Sequence, residues 1–309
     1  MTHSKQLPRH FWISAVLGLL LVALGYRFWS VSETIRLTWL GGGWLLAMAF
    51  YLGALKRPQW YWNGLVRWYH QLASPRYFYQ KSGRWLPWLV AIAAGLTLTG
   101  LVWGLVFAPE HWEQGNSYRI IYIHVPAASA ALMGYSAMAV AGVVALVWRL
   151  KMAEVAIKAI APFGAVMAAV ALITGAIWGK PTWGTYWVWE ARLTSMLILF
   201  FMYLGIIVLH NAISDPRQAG RAAALLALVG IINVVVVRYS VDWWFSLHQP
   251  ASMKAFGAAG SAIHPSMQTP LLLSMFGIYF LFAVTVLIRI RTEVLWRERR
   301  SAWVAEEVR

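Results

Sequence analysis

The sequence contains no cysteine among its 309 residues and carries very little charge. Without cysteine there is no disulfide, no thiolate metal ligand and no CxxCH site at which haem could be attached covalently. Only 12% of the residues are charged, against roughly 25% in an ordinary soluble domain, and 60% are apolar. This balance excludes an ordinary soluble domain and indicates an all-α, polytopic membrane protein.

Eight apolar runs are long enough to cross a bilayer as helices, which takes about 20 residues each. The predicted spans are 11–29, 37–55, 85–107, 121–148, 159–178, 193–211, 221–239 and 270–290. No cleavage-site pattern follows the first run, so we expect it to remain as an anchor. The predicted organisation is a two-helix extension of unknown role (1–56), a basic cytoplasmic linker (57–84), a six-helix core (85–300) and a cytoplasmic tail (301–309).

Acidic residues are scarce as well, at 11 against 26 lysines and arginines, which gives a net charge of +15. When the loops are assigned alternately to two sides, 19 of the 26 basic residues fall on the side of both termini and seven on the other. The positive-inside rule therefore predicts cytoplasmic termini. Topology and attraction to anionic lipid account for the charge, so we expect no nucleic-acid partner.

The segment "WGKPTWGTYWVWEARLTS" at 178–195 connects the fifth and sixth spans and is expected on the outer face. An aromatic belt at the membrane interface explains isolated tryptophans, but it does not require a cluster such as this one. The Gly-Lys-Pro and Gly-Thr breaks predict a loop, placed at 178–192, that lays indoles on the membrane surface. Its tryptophans are Trp178, Trp183, Trp187 and Trp189.

Two of the eight histidines stand out because they lie near this outer layer within apolar or aromatic sequence. His124 is two residues before Pro126, and His248 follows Trp243 and Trp244. A buried histidine bonded to a backbone carbonyl is the structural alternative for each. His111 and His264, by contrast, lie in polar loop stretches and are expected to be solvated.

Together these features suit a porphyrin held at the outer leaflet. Two neutral imidazoles that face one another can ligate an iron axially, and indoles can cover the porphyrin faces. Propionates would pair with cations, because an ionised partner strengthens a hydrogen bond. The candidate cations are Lys180, Arg192, Arg119 and Arg238.

The same residues carry a resemblance to a known family. The segment at 178–195 resembles the WWD motif of the haem-handling proteins of cytochrome c biogenesis. With "GNSYRIIYIHVPAA", "YSVDWW…LHQ" and "APFGAVMAAVALITGAIWGKP", the chain looks like the CcmC family of the System I pathway over about residues 65–300. Several separate segments match in order, which makes the resemblance specific.

The resemblance implies a six-span core, a transiently bound haem b, and two outer axial ligands, which by motif are His124 and His248. It implies a protein of the bacterial inner membrane that presents haem on the periplasmic side. The acceptor is the chaperone CcmE, in which a histidine becomes bound to a haem vinyl group. CcmD and the ABC transporter subunits CcmA and CcmB complete the implied complex, in which ATP hydrolysis is linked to release of loaded CcmE.

The sequence departs from the family pattern in two places. The motif acid is usually aspartate, and here it is Glu190. Glutamate is a poor helix N-cap, so the acid either caps the next span less well or acts by charge on Arg192 or on a loop donor. The second departure is the extension at 1–56, for which an assembly or lipid-facing role is the default expectation.

Three other functions are weighed against the haem-presenting one. A b-type haem electron carrier would place its histidines deeper in the bilayer. A haem transporter or exporter subunit would place ionisable residues and broken helices near the midplane, where this sequence has almost none. A hydrolase would need a nucleophile and base, and no plausible set is found, so we expect a protein that is not an enzyme.

Overall fold

The computed structural model describes residues 73–248 and 263–307, and the regular secondary structure within these ranges is helical. A π-helical turn, Trp103–Phe107, continues the first helix, and a 3₁₀ turn, Asn116–Ile120, precedes the second. The helices are α1 (Pro75–Val102), α2 (Ile121–Trp148), α3 (Lys151–Trp183), α4 (Ala191–Ala212), α5 (Pro216–Trp243), α6 (Pro265–Arg297) and the short α7 (Ala302–Glu307).

Six membrane-spanning helices in the core are confirmed, because α1 to α6 are long and apolar enough to cross a bilayer. Each of the last six predicted spans falls within one of these helices. The two predicted spans at 11–29 and 37–55 lie outside the described residues. The described part of the chain is thus an all-α membrane bundle.

Helices α3 to α6 extend beyond the predicted apolar runs at both ends, and α1 extends beyond its run at the N-terminal end, whereas α2 has the predicted bounds. Helix α1 begins at Pro75, inside the stretch assigned to a linker. Proline suits the first position of a helix, and the Ser74 hydroxyl caps it by accepting from the Tyr77 amide at 3.5 Å. A hydropathy pattern finds where a helix is apolar and not where its hydrogen bonding starts.

Helices α2 to α5 form the centre of the bundle. Helix α2 packs against α3 and α5, and α4 packs against both α3 and α5. Helices α1 and α6 pair mainly with each other, and α6 also contacts α2 and α3. The central helices therefore hold one another in register, and the loops at their ends are brought close together.

Two buried tyrosines, Tyr135 on α2 and Tyr203 on α4, connect the central helices. Their rings meet edge to face with centroids 5.1 Å apart. The Tyr203 hydroxyl donates to the Ala131 carbonyl at 2.6 Å, and the Tyr135 hydroxyl donates to the Leu226 carbonyl at 3.0 Å. These bonds satisfy polar groups that would be costly inside a membrane bundle.

Charged residues close the end of the bundle where α2 ends and α3 begins. Lys158 on α3 contacts the Glu293 carboxylate on α6 at 2.8 Å, and Arg297 donates to Glu293 at 2.7 Å. Arg297 also lies 3.9 Å from Glu154 on α3. This network ties α6 to α3 at the end of the bundle opposite to the two candidate histidines.

Candidate functional site

His124 is held in place by the C-terminal half of α3. Its ring lies against the backbone at Gly175, where an added Cβ would come within 2.9 Å of the imidazole. The indole of Trp178, one turn further on, meets the ring edge to face with centroids 5.7 Å apart. Only a residue without a side chain allows this close approach, so the glycine at 175 positions the histidine.

The hydrogen bonds around His124 decide which ring nitrogen carries the proton. Nδ1 lies 3.1 Å from the Thr174 hydroxyl oxygen. That hydroxyl donates its own proton to the Val170 carbonyl at 2.6 Å, so it accepts from the imidazole. His124 is therefore protonated at Nδ1, and among the described residues its Nε2 has no hydrogen-bond partner. The Nε2 lone pair is free to ligate a metal.

His248 is oriented in the same way by a different residue. Its Nδ1 forms a short hydrogen bond with the carboxylate of Glu190, and the imidazole donates. On the other side the ring meets the indole of Trp183 edge to face, with centroids 4.7 Å apart. Within the described part of the chain, Nε2 of His248 also has no hydrogen-bond partner. A carboxylate behind Nδ1 makes Nε2 a better electron donor to a metal.

Glu190 organises the segment that carries His248. Its second carboxylate oxygen accepts from the Ser246 hydroxyl at 2.7 Å and from the Leu247 amide at 3.0 Å. Glu190 stands at the N-cap position of α4, yet its side chain makes no capping bond there. Of the two roles open to the motif acid, the geometry favours an interaction with loop donors over helix capping.

The pKa of His248 is lowered from its usual value, mainly by burial and also by the positive charge of Arg192, while Glu190 opposes the shift. The side chain is only 17% exposed. His248 is therefore neutral near pH 7, which is the form that binds a metal. Arg192 and His248 both act electrostatically on His124, so the three side chains lie in one electrostatic neighbourhood.

The predicted loop at 178–192 is shorter in the structure. Helix α3 continues through Pro181 to Trp183, and the loop comprises residues 184–190. The Thr182 hydroxyl bonds to the Trp178 carbonyl at 2.8 Å in this last turn. Gly184 then ends the helix with a φ of 78°, in the left-handed region that favours glycine. Near the end of a helix a proline removes one bond without ending the helix.

The prediction that the loop lays its indoles on the surface is wrong for Trp183 and Trp187. Trp183 and Trp187 are half-buried, and Trp189 is 75% exposed. The exposed apolar surface is instead shared with the end of α5, where Trp243, Trp244, Phe245 and Leu247 are all exposed. A cavity of about 320 Å³ lies in this surface. It is lined by Val188, Trp189, Glu190, Ala191, Trp244, Phe245 and Leu247.

Known proteins are similar to this chain over most of its length. The CcmC family, described as heme exporter protein C, matches residues 68–305. Heme exporter protein C of Escherichia coli K12 is 50% identical over 238 residues, which are 77% of this chain and 95% of that protein. The chain belongs to the CcmC family. The Haemophilus influenzae heme exporter protein C is 44% identical over 238 residues, 77% of this chain and 96% of that protein.

The family match also marks what is additional in this chain. It begins at residue 68, so the predicted two-helix extension at 1–56 precedes the part that is shared with the CcmC family. Both histidines, Glu190 and the Trp-rich segment fall inside the shared part. The candidate site therefore belongs to the family core and not to the extension.

Two of the four cations proposed to pair with propionates are engaged elsewhere. The Arg119 guanidinium donates to the carbonyls of Leu105 and Ala108 at 2.7 and 2.8 Å, where the π-helical turn after α1 ends. Lys180 donates to the Gly184 carbonyl at 3.0 Å and so caps α3. The end of a helix leaves carbonyl groups without partners, and both side chains serve that need.

The other two cations, Arg192 and Arg238, lie beside the histidines or on the adjoining helix. Arg238 is exposed on α5 and lies over the Tyr239 ring at 5.3 Å. The Nε of Arg192 is buried and has no hydrogen-bond partner among the described residues, and the same holds for the indole Nε1 of Trp187. Buried donors without acceptors are costly, so this site suits a ligand that carries carboxylates.

In the structure His111 and His264 have local roles. Nδ1 of His111 accepts from the amides of Glu113 and Gln114, each at 3.2 Å, and the ring stacks on Tyr118. His264 caps α6, and its Nδ1 accepts from the Ser266 amide at 3.4 Å. Because Nδ1 is the acceptor, the proton of each neutral ring is on Nε2. These two imidazoles are therefore the wrong tautomer for ligation through Nε2.

Sequence reasoning missed the residues that orient the ligands. Thr174 and Gly175 precede Trp178 by about one helical turn, so a helical reading of "LITGAIW" would have placed all three on neighbouring faces of α3. Ser246 had no signal of its own, because its role depends on contact with Glu190 from a distant segment. The same is true of Trp244, Phe245 and Leu247 around the cavity.

The donor set fits a haem iron better than a bare metal ion. No group of three or more His, Asp or Glu side chains suited to a metal is found in the described ranges. A protein site for zinc or another bare ion needs three or four such ligands. Two prepared imidazoles suit an iron whose other four ligands come from a porphyrin.

Proposed function

We propose that this protein holds haem at the outer end of the bundle and presents it to the haem chaperone CcmE during cytochrome c maturation. The observation that carries the proposal is the matched preparation of His124 and His248. Each is protonated at Nδ1 by a fixed hydrogen bond, to Thr174 or to Glu190, and each leaves Nε2 without a partner in the described chain. His111 and His264 lack this preparation.

In this proposal the two Nε2 atoms are the axial ligands of the haem b iron, and the indoles beside them cover the porphyrin. Trp178 lies against His124 and Trp183 against His248, so each imidazole is held by its own indole. Arg192 and Trp187 supply buried donors for a propionate. Trp189 and the exposed end of α5 provide the apolar surface that meets haem and the acceptor.

The binding is expected to be reversible. If indoles bury about 400 Å² of the porphyrin, the gain is roughly 10 kcal/mol at about 25 cal/mol per Å². The cost of association, about 4–15 kcal/mol, offsets most of this gain. Iron ligation then decides whether haem stays or leaves. A protein that passes haem to an acceptor requires this balance.

The proposed partners follow from the family. CcmE receives haem, and CcmD, CcmA and CcmB complete the complex in the bacterial inner membrane, with the haem site on the periplasmic side. The chain has no Walker motif, so ATP-dependent steps belong to partner subunits in this account. Membrane lipids surround the exposed faces of α1 to α6.

The proposal is tested by co-expressing the chain with CcmE and measuring covalent haem on CcmE by peroxidase staining. We expect His124→Ala and His248→Ala each to reduce loading strongly, and His111→Ala to leave it near the native level. All variants are checked for membrane insertion by immunoblotting. Normal loading by inserted His124→Ala and His248→Ala variants would refute the assignment. If the variants instead delivered less haem to the periplasm while the remaining haem still loaded CcmE normally, the result would favour a haem transporter.

A further inference from the structure

A second cavity lies at the opposite end of the bundle from the histidines. Its volume is about 510 Å³, and it is bounded by the end of α2, the start of α3 and the start of α5. It is lined by Ala145, Leu146, Arg149, Lys151, Glu154, Arg217 and Arg221. Haem handling at the other end of the bundle uses none of these residues.

Four of the lining side chains are cationic, and none of them is neutralised by a contact. Within the described ranges, the side chains of Arg149, Lys151, Arg217 and Arg221 form no hydrogen bond or ion pair, whereas Lys158 and Arg297 nearby are both paired. All four are exposed around one concavity. A ring of unpaired cations around a cavity attracts an anion more strongly than the same charges spread over a surface.

The helix ends add to this positive potential. Lys151 is the first residue of α3, and Arg217 and Arg221 lie in the first two turns of α5. The N-terminus of a helix carries a partial positive charge, so cations are unfavourable there and anions are favourable. Lys151, Arg217 and Arg221 therefore lie at positions where their charge does not stabilise the helix that carries them. The positive-inside rule accounts for cations at this end of the bundle, and their arrangement around one concavity in addition suits a ligand that carries negative charge.

Glu154 supplies a second and independent feature of the cavity. Its side chain is 9% exposed, and its Oε2 atom is buried and accepts no hydrogen bond from the described residues, although the Arg297 guanidinium lies 3.9 Å from it. Gly220 on α5 packs directly on it, since an added Cβ would lie 3.0 Å from three of its atoms. A buried acceptor without a donor is costly, and a hydroxyl group on the ligand would satisfy it.

We propose that this cavity binds the headgroup of an anionic phospholipid that carries a phosphate and a free hydroxyl, as phosphatidylglycerol does. The phosphate would contact the four cations, and a glycerol hydroxyl would donate to Glu154. Ala145 and Leu146 give the cavity an apolar wall for the glycerol backbone. A soluble phosphate shares the phosphate chemistry, but the position of the cavity at the membrane-facing ends of the spans favours a lipid.

The test titrates the purified full chain in detergent with dioleoyl phosphatidylglycerol and follows bound lipid by native mass spectrometry. Dioleoyl phosphatidylcholine, inorganic phosphate and glycerol 3-phosphate are titrated in parallel. The test variant is Arg217→Gln with Arg221→Gln. The control is Arg84→Gln with Arg289→Gln, which removes the same charge from exposed positions outside the cavity. Neutral residues at the start of α5 do not oppose its dipole, so the test variant is expected to fold.

We expect the native chain to retain phosphatidylglycerol in preference to phosphatidylcholine. The test variant should bind phosphatidylglycerol about tenfold or more weakly, as loss of two cations near a phosphate implies. The control variant should bind it within about twofold of the native chain. Equal retention of the two lipids by the native chain, or equal binding by test and control variants, would overturn the proposal. Displacement of phosphatidylglycerol by inorganic phosphate at a similar concentration would show a site for a soluble anion and overturn the lipid assignment.

Discussion

Glu190 illustrates at the scale of one residue how the site is built from distant segments. The carboxylate begins α4 in sequence, yet it serves the loop after α5 by bonding to Ser246, to the Leu247 amide and to His248. Such a group behind a ligating imidazole fixes the tautomer and raises the basicity of the other nitrogen. The acid thus acts on His248, the residue proposed as an axial ligand.

The first prediction concerns this acid. Glu190→Gln should weaken haem retention by about 10–100-fold, the usual effect of losing an orienting carboxylate behind a metal ligand. Glu190→Asp keeps the charge and should retain more haem than the glutamine variant. The measurement is a haem titration of the purified variants followed at the Soret band, with the position of the band as a readout of ligation. Identical affinity and an identical spectrum for Glu190→Gln would show that the acid has only a structural role.

The second prediction is a pH dependence. Burial and Arg192 lower the pKa of His248 from its usual value near 6.5, so its neutral, metal-binding form persists as the pH falls to that value. Haem retention should therefore stay constant between about pH 8 and 6.5 and decline only at lower pH. Replacing Arg192 by Gln removes a cation that disfavours protonation, so the decline should begin at higher pH. The midpoint of a spectroscopic pH titration gives the comparison, and an unchanged or lower midpoint in Arg192→Gln would contradict it.

The surroundings of the histidines in the sequence separate them as their hydrogen bonds do. Nδ1 of His124 and of His248 bonds to a side chain from a distant segment, whereas Nδ1 of His111 and of His264 accepts from a nearby backbone amide. The assignment of His124 and His248 as haem ligands stays a prediction. Arg119 and Lys180 have the charge of propionate partners, but they bond to backbone carbonyls at helix ends. Charge is readable in a sequence, whereas the nearest acceptor depends on the fold.

At the scale of elements, α3 is the helix that organises the site. Its last turns present Thr174, Gly175 and Trp178 to His124, and Trp183 to His248. The sequence predicted a loop that begins at Trp178, because Gly-Lys-Pro follows that residue. Proline near the end of a helix removes a single late hydrogen bond, and the helix stops only at Gly184. A longer helix holds two of the four indoles on a rigid element.

The third prediction concerns the indoles of the Trp-rich segment. Changing Trp183, Trp187 and Trp189 together to alanine should prevent loading of CcmE even with both histidines intact, and each single change should weaken haem retention modestly. Trp60→Ala with Trp62→Ala, a pair of tryptophans outside the Trp-rich segment, serves as the control. Covalent haem on co-expressed CcmE is the readout, with membrane insertion checked in parallel. Normal loading by the inserted triple variant would mean that these indoles act only at the membrane interface.

At the scale of the whole molecule, the number of spans was predictable because twenty-residue apolar runs have few other stable forms in a bilayer. Six of the eight predicted spans are confirmed, and the remaining two lie outside the described residues. The pairing of α1 with α6 and the central position of α2 to α5 were not predicted. Apolar side chains face both lipid and protein in such helices, so hydropathy does not tell which face meets a neighbour.

The fourth prediction concerns orientation in the membrane, and the absence of cysteine makes it simple to test. Single cysteines are introduced at Glu113, between α1 and α2, and at Gln218, at the start of α5; both positions are exposed. The split of basic residues predicts that a membrane-impermeant maleimide labels Glu113→Cys in intact spheroplasts and labels Gln218→Cys only after lysis. The cysteine-free parent chain is the blank. Labelling in the reverse pattern would invert the proposed topology.

The central claim, that His124 and His248 together ligate haem, is tested most directly by the low-spin absorption spectrum of the purified haem-loaded protein. We expect a six-coordinate, bis-imidazole spectrum in the native chain. Either His124→Gly or His248→Gly should shift it towards a five-coordinate form, and added imidazole should restore the native spectrum, while His111→Gly should leave it unchanged. A native-like spectrum in both single variants without added imidazole would contradict the account.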